Sequence, residues 1–138
     1  MTNPVLNILL VEDDEVDVMN VRRAFAKSHI ANPLFVASDG LEALDMLRSG
    51  AVPADRRIVL LDLNMPRMNG IEFLQELRRS PELRHTTVVV LTTSNDERDK
   101  IGAYNLNVAG YLVKPVTFES FRELMVALNK YWSLVELP

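Results

Sequence analysis

The stretch Arg57-Ile58-Val59-Leu60-Leu61-Asp62-Leu63-Asn64-Met65-Pro66 decides the fold. Four branched apolar residues, Ile58 to Leu61, run straight into a carboxylate, and the turn pair Asn69-Gly70 follows Pro66. An unbroken apolar run bounded by turn signals predicts a strand buried on both faces, as in a parallel sheet. Asp62 then stands at the carboxyl end of that strand, where open α/β sheets bind their ligands. By itself the position is ambiguous, because Asp also starts turns. The rest of the chain decides between a turn residue and a working carboxylate.

Working outward, the same pattern recurs. Val5 to Val11 predicts a first strand that runs into Glu12-Asp13-Asp14-Glu15. Val18, Val21, Ala24 and Phe25 follow at helical spacing, with Arg22, Arg23 and Lys27 opposite. Acids at the start of that helix suit its dipole, but capping accounts for only one or two of them, and clustered carboxylates repel. Leu34 to Ala37 is a short second strand, and Asp39 with Glu42 has the spacing of a helix start. Leu41, Leu44 and Leu47 are the expected buried face of that helix, which Ser49-Gly50 ends. Ala51 to Arg56 reads as a polar loop back to the opening stretch.

Beyond it, Asn69 and Glu72 repeat the cap spacing, and Ile71, Phe73, Leu74 and Leu77 mark a third helix ending before Pro81. Thr87 to Thr93 is a fourth buried strand, and Asp96 to Asn105 a polar, marginal fourth helix. Ala109 to Val113 is the fifth strand and delivers Lys114-Pro115. From Thr117, the residues Phe118, Phe121, Leu124, Met125, Leu128, Tyr131 and Trp132 recur at three- and four-residue steps. Strands alternating with helices imply an α/β fold, a doubly wound parallel sheet with right-handed crossovers. Residues 1–132 form one domain on this reading. Ser133 to Pro138 is a tail too apolar to be solvated, expected to pack on its own domain or on a second subunit.

Composition narrows the chemistry. The 138 residues have 48% hydrophobic and 25% charged content, ordinary for one globular domain. A net charge of −4 without a Lys/Arg cluster argues against nucleic acid as a partner. With no cysteine, disulfides, zinc–thiolate sites and thiol nucleophiles are excluded. No basic leader precedes an apolar segment at Met1 to Pro4, and no apolar run approaches the roughly 20 residues a bilayer requires. No membrane and a cytoplasmic location are the corresponding expectations.

In a sheet of this kind all strands end on one edge. That edge receives Glu12 and Asp13 from the first strand, Asp62 from the third, Thr92 from the fourth and Lys114 from the fifth. Carboxylates brought together need a cation, and hard oxygen donors select Mg²⁺ or Mn²⁺. A divalent ion, a lysine and a hydroxyl are what a phosphoryl group needs for charge neutralisation. A carboxylate among them is the natural nucleophile and would give an acyl phosphate. His29 ends the first helix and His85 lies in a connecting loop, so neither histidine serves as a base.

On these residues the chain resembles the receiver domain of two-component response regulators. The resemblance is carried by Ile8 to Asp14, by Leu60 to Gly70, by Val90 to Thr93 and by Gly110 to Pro115. It covers about residues 5–132 and implies a flavodoxin-like (βα)5 fold with strand order 2-1-3-4-5. It implies Asp62 as phosphoacceptor, and Glu12, Asp13, Asp62 and the Asn64 carbonyl as Mg²⁺ ligands. Thr92 matches the switch hydroxyl, Lys114 the phosphoryl-contacting lysine and Tyr111 the switch aromatic that moves inward. Pro115 matches a proline preceded by a cis bond in the family. The acidic pair is Glu-Asp rather than Asp-Asp, and strand register favours Glu12 and Asp13 over Asp13 and Asp14. Thr93 replaces a small alanine frequent in the family, a bulk expected to crowd the phosphoryl site.

The tail and the Leu91-Thr92-Thr93-Ser94 run are similar to stand-alone receivers paired with phytochrome histidine kinases. That narrower resemblance implies a light-sensing kinase as donor and a homodimer through the fourth and fifth strands and helices. The expected activity is a switch that assists its own phosphorylation, not a turnover enzyme. Three other readings share parts of the pattern. A phosphorylation-independent module would use the same fold and the last helix. A haloacid dehalogenase-type phosphatase would need an Asp at the position of Asn64. A flavodoxin would need a phosphate loop where the chain has Glu12 to Glu15.

Overall fold

A computed structural model describes residues 5–137. Five strands alternate with five helices: β1 (Asn7–Val11), α1 (Glu15–Lys27), β2 (Leu34–Ala37), α2 (Gly40–Ser49), β3 (Arg57–Leu61), α3 (Gly70–Arg79), β4 (Thr87–Thr92), α4 (Glu97–Asn105), β5 (Gly110–Val113) and α5 (Phe118–Leu134). The strands form one sheet in the order β2-β1-β3-β4-β5, every pairing parallel. This is the doubly wound, flavodoxin-like arrangement expected from the alternation.

The opening stretch lies at the centre. β3 pairs with β1 on one side, Leu61 opposite Val11, and with β4 on the other, Leu61 opposite Val90. Ile58, Val59, Leu60 and Leu61 are wholly buried. Alternate residues point to opposite faces, so each strand feeds two cores. Leu9, Val11, Val59, Leu61, Val88 and Val90 meet Leu44 and Leu47 of α2 and Phe73, Leu74 and Leu77 of α3. Ile8, Leu10, Ile58, Leu60, Val89 and Leu91 meet Val21, Ala24 and Phe25 of α1 and Phe121, Met125, Leu128 and Trp132 of α5. Each of the Val, Leu, Ile, Phe and Met side chains contributes roughly 1.5–3 kcal/mol when fully buried.

Helix starts follow the local chemistry. Asp14, Asp39, Asn69, Asp96 and Thr117 each cap the helix that follows by accepting a backbone N–H. Asn69 and Glu72 form a reciprocal capping box. At the start of α2 the box is diverted, since Glu42 accepts from Ser38 rather than from the backbone of Asp39. Gly50, at φ 83°, ends α2 in the left-handed region that glycine enters without steric cost.

Several expectations need correction. Leu41 is 52% exposed, because the buried face of α2 runs through Gly40, Ala43, Leu44 and Leu47 and leaves residue 41 to one side. Tyr131 is likewise exposed on α5. The loop from Ala51 to Arg56 is not wholly polar, since Val52 is buried beneath it. Helix α5 continues through Leu134, so a boundary at residue 132 falls inside it. Of the tail, Leu137 packs against the core beneath α1 and α5, Leu134 points outward, and Pro138 lies outside the described residues. Helix α4 is as marginal as its composition implies: only Ala103 is buried. Among the described residues no helix is long and apolar enough to cross a membrane.

Candidate functional site

The site forms where four parallel strands stop. Val11 of β1 and Leu61 of β3 are paired, so the residues just beyond, Glu12 and Asp62, emerge side by side. Register is held past the strand ends by the Asp62 N–H, which donates to the Val11 carbonyl at 3.0 Å. Thr92 of β4 and Lys114 beyond β5 arrive together too, the Lys114 N–H donating to the Thr92 carbonyl at 2.8 Å. All the expected strand-end residues therefore share one edge.

Gly70 is required by closeness rather than by φ. A Cβ there would lie 2.7 Å from both the Asp62 carbonyl oxygen and the Leu63 Cα, both backbone atoms that cannot rotate away. The N–H of Gly70 donates to the Leu63 carbonyl at 3.1 Å, folding the start of α3 back onto the strand end. The intervening turn carries Arg67 at φ 62°, an uncommon conformation for a side chain of this size. It brings the guanidinium onto the buried Asp39 carboxylate, tying the loop after β3 to the start of α2. The hydrogen bond from the Glu42 N–H, with the Arg67 pairing, holds the Asp39 carboxyl below its ordinary range.

Asp62 is buried, as is Glu12, while Asp13 is exposed. Glu12, Asp13 and Asp62 each bring a carboxylate oxygen within 4.8 Å of the others. Asn64 is exposed beside them, and its N–H lies 3.4 Å from Asp62 Oδ1. Asp14 caps α1 through its side chain, and the carboxylates gathered beside Asp62 are those of Glu12 and Asp13. Burial pushes Glu12 up to about 7; the Lys114 ammonium opposes this and the Asp62 charge adds to it. The dominant cause is loss of water around a buried carboxylate, which a bound cation would offset. Hard oxygen donors in that state fit a divalent cation such as Mg²⁺ or Mn²⁺.

Thr92 is wholly buried, and its hydroxyl has one orientation available. It accepts the Ser94 N–H at 3.3 Å and donates to Asp62 Oδ1 at 2.7 Å. Ser94 in turn accepts the Tyr111 hydroxyl on its carbonyl oxygen at 2.9 Å. Tyr111 is half-buried against the core of the α3 face, and burial raises its pKa. Asp62, Thr92, Ser94 and Tyr111 are thus joined in series. Thr93 follows the last residue of β4 and is exposed.

Lys114 donates to Glu12 and, at 2.8 Å, to Asp17 Oδ2, while Asp62 Oδ2 stands 4.0 Å away. Burial alone would lower the pKa of this 8% exposed lysine, but the hydrogen bonds to Asp17 and Glu12 and the nearby acids outweigh it and hold the ammonium charged. Asp17 does not belong to a strand end. It reaches the edge from the first turn of α1, and its sequence signal is an acid two residues after the acidic run. The cis bond implied at Pro115 is absent. Among the described residues every peptide bond is trans, and at an X-Pro bond the two isomers differ by only about 0.5–1 kcal/mol.

With this geometry in place, comparison with known proteins is decisive. The family model described as response regulator receiver domain matches residues 8–126. The chain belongs to this family. It is 40% identical to the probable methanogenesis regulatory protein FilR2 of Methanothrix harundinacea, over 91% of this chain and 82% of that protein. It is 37% identical to the response regulator Rcp1 of Synechocystis, over 99% of this chain and 96% of Rcp1. The Mn²⁺-bound crystal structure of Rcp1 superposes with a TM-score of 0.83. The phosphorylated cyanobacterial phytochrome response regulator RcpA superposes with a TM-score of 0.88 at 32% identity, covering 98% of this chain and 99% of RcpA. The receiver is therefore similar, along its whole length, to phytochrome-associated response regulators.

Proposed function

We propose that this receiver is a phosphorylation switch in a two-component phosphorelay, with Asp62 as the phosphoacceptor. The observation that carries the reading is the environment of one carboxylate. Asp62 Oδ1 is occupied by the Thr92 hydroxyl, whereas among the described residues Oδ2 accepts no hydrogen bond and has the Lys114 ammonium 4.0 Å away. One oxygen is held by a reporter, and the other is left as nucleophile beside a cation.

In the proposed reaction an Asp62 oxygen forms a bond to phosphorus as the P–N bond of a histidine kinase's phosphohistidine breaks. The electron pair of that bond stays on the imidazole nitrogen. Lys114 pairs with the phosphoryl oxygens, and the Thr92 hydroxyl turns from the carboxylate to one of them. Glu12, Asp13, Asp62 and the Asn64 carbonyl would hold Mg²⁺, or Mn²⁺, which when bound supplies charge neutralisation for the phosphoryl oxygens. Moving Thr92 disturbs the Ser94 peptide and so the Tyr111 hydroxyl that rests on it. A local charge event thereby biases the loop leading into α4, an element with little buried surface of its own. Water attack on the acyl phosphate resets the switch, so the protein assists its own phosphorylation and dephosphorylation and is not a turnover enzyme.

Similarity to RcpA and Rcp1 favours a phytochrome-type histidine kinase as donor in the cytoplasm. Ile101, Tyr104 and Val113 are exposed apolar residues on α4 and β5, suited to a homodimer or a downstream protein rather than to nucleic acid. The dimer reading predicts that shortening the chain by residues 133–138 weakens self-association in sizing experiments, and a monomer with and without them ends it.

Intact-mass measurement with phosphoramidate tests the main reading. One phosphoryl group should be gained with Mg²⁺ and none after Asp62→Asn or without metal. No gain under any small donor would favour a phosphorylation-independent module. Fast, steady phosphate release from many monoesters would favour a phosphatase.

A further inference from the structure

We infer that Asp17 holds Lys114 in its resting place beside the acceptor and is a positioning residue for phosphoryl uptake. The inference rests on Asp62 being the phosphoacceptor. Lys114 is almost closed to solvent, so the direction of its ammonium is set by protein acceptors rather than by water. Two of these hold it: Glu12, and Asp17 at 2.8 Å. Asp62 Oδ2, at 4.0 Å, is beyond hydrogen-bond distance. The lysine is thus drawn toward α1 and away from the carboxylate that it must later serve.

Asp17 has no other evident task. Capping of α1 belongs to Asp14, which accepts the Val16 and Asp17 N–H groups. The trio of carboxylates close enough to share a cation is Glu12, Asp13 and Asp62, without Asp17. Its side chain is one-third exposed and reaches inward from the first helical turn to Lys114. Two of the three donors of the ammonium are turned toward Glu12 and Asp17, so a phosphoryl group on Asp62 draws Lys114 across the 4.0 Å gap against their pull. Holding the lysine back has a physical use. A direct ion-pair hydrogen bond to Asp62 Oδ2 would make that oxygen a poorer nucleophile, while a lysine kept within 4 Å remains available to the phosphoryl oxygens.

Asp17→Asn preserves shape and one acceptor but removes the charge. Phosphoramidate is the probe: Asp62 forms the O–P bond, the P–N bond breaks, and ammonia leaves with its electron pair. At saturating Mg²⁺ the variant should be phosphorylated about three- to tenfold faster than the parent, the scale of one charge-assisted hydrogen bond at a part-exposed carboxylate. Beryllofluoride, a non-covalent phosphoryl mimic, should bind tighter by a similar factor. In a Lys114→Gln background the same substitution should change neither quantity, because the effect runs through the lysine. An unchanged or slower Asp17→Asn, or an equal gain in the Lys114→Gln background, would overturn the inference while leaving the acceptor reading intact. A parent protein that takes up no phosphoryl group at Asp62 brings both down together.

Discussion

At the amino edge of the sheet, Arg57 donates to the Leu47 and Val52 carbonyls, and Arg78 donates to those of Leu106, Arg84, Thr86 and Asn107. At the carboxyl edge, Lys114 is shared by Glu12 and Asp17 and stands 4.0 Å from Asp62. Both edges take cations out of water, and burial pulls the Arg57 and Arg78 guanidiniums below their ordinary range. The difference lies in what meets them. Arg78 has a fixed fork facing loop carbonyls that would otherwise lack donors, and among the described residues neither arginine is paired with a carboxylate. Those hydrogen bonds are mutually satisfied and leave nothing to respond to a ligand. At the other edge Glu12, Asp17 and Asp62 surround Lys114, and Asp13 lies close to Glu12 and Asp62. That imbalance can be relieved by a cation or by rearrangement, so the carboxyl edge is where binding changes the molecule.

The sharpest way to break the contrast is at the hinge of the carboxyl edge. Gly70→Ala drives a Cβ into the Asp62 and Leu63 backbone and should cost about 3 kcal/mol of stability, read from the urea midpoint. It should also remove most phosphoryl uptake, because the strand end has to shift. Next, Arg78→Met strips donors from several loop carbonyls at once and should cost about 2 kcal/mol. Mg²⁺ affinity by calorimetry should stay within about twofold of the parent, since the two edges do not share residues. A large loss of metal affinity in Arg78→Met would show that the edges are coupled and the contrast misdrawn.

The third probe is pH. Because the folded pKa of Glu12 is raised to about 7 from the ordinary 4.5, the metal-free folded protein keeps a proton that the unfolded chain has already lost. This contribution makes metal-free stability decline as pH rises from about 4.5 to 7 and level off above. Metal binding expels the same proton. Apparent Mg²⁺ affinity should therefore climb with pH, by at most about tenfold per unit, and flatten above pH 7. A pH-independent affinity across that window would remove Glu12 from the ligand set. The smallest effect belongs to neither edge: Arg79→Ala breaks only the exposed pair with Glu76 and should change stability by less than about 0.5 kcal/mol.

Much of this was legible in the chain because its signals are local and repeated. The apolar run before Asp62, the cap pairs at Asn69 and Glu72, and the Gly50 stop each depend on a few neighbouring residues. Parallel pairing followed from the alternation, and once all strands end together Glu12, Asp62, Thr92 and Lys114 must converge. Leu41 departs from expectation because three leucines at three-residue steps do not fix the phase of the buried face, which Gly40 and Ala43 set instead. The Arg67–Asp39 tie was invisible because it joins two loops through an uncommon backbone conformation.

The sequence by itself determined the α/β alternation, the buried centre at Ile58 to Leu61, and the residue types gathered at the carboxyl edge. The tertiary structure alone decided how those residues divide their partners. Thr92 is on Asp62, Tyr111 on Ser94, and Lys114 on Glu12 and Asp17 rather than on Asp62. The reason is physical. Secondary structure and burial follow from patterns along the chain, whereas competition among acceptors for one ammonium depends on distances of a few tenths of an ångström between elements far apart in sequence.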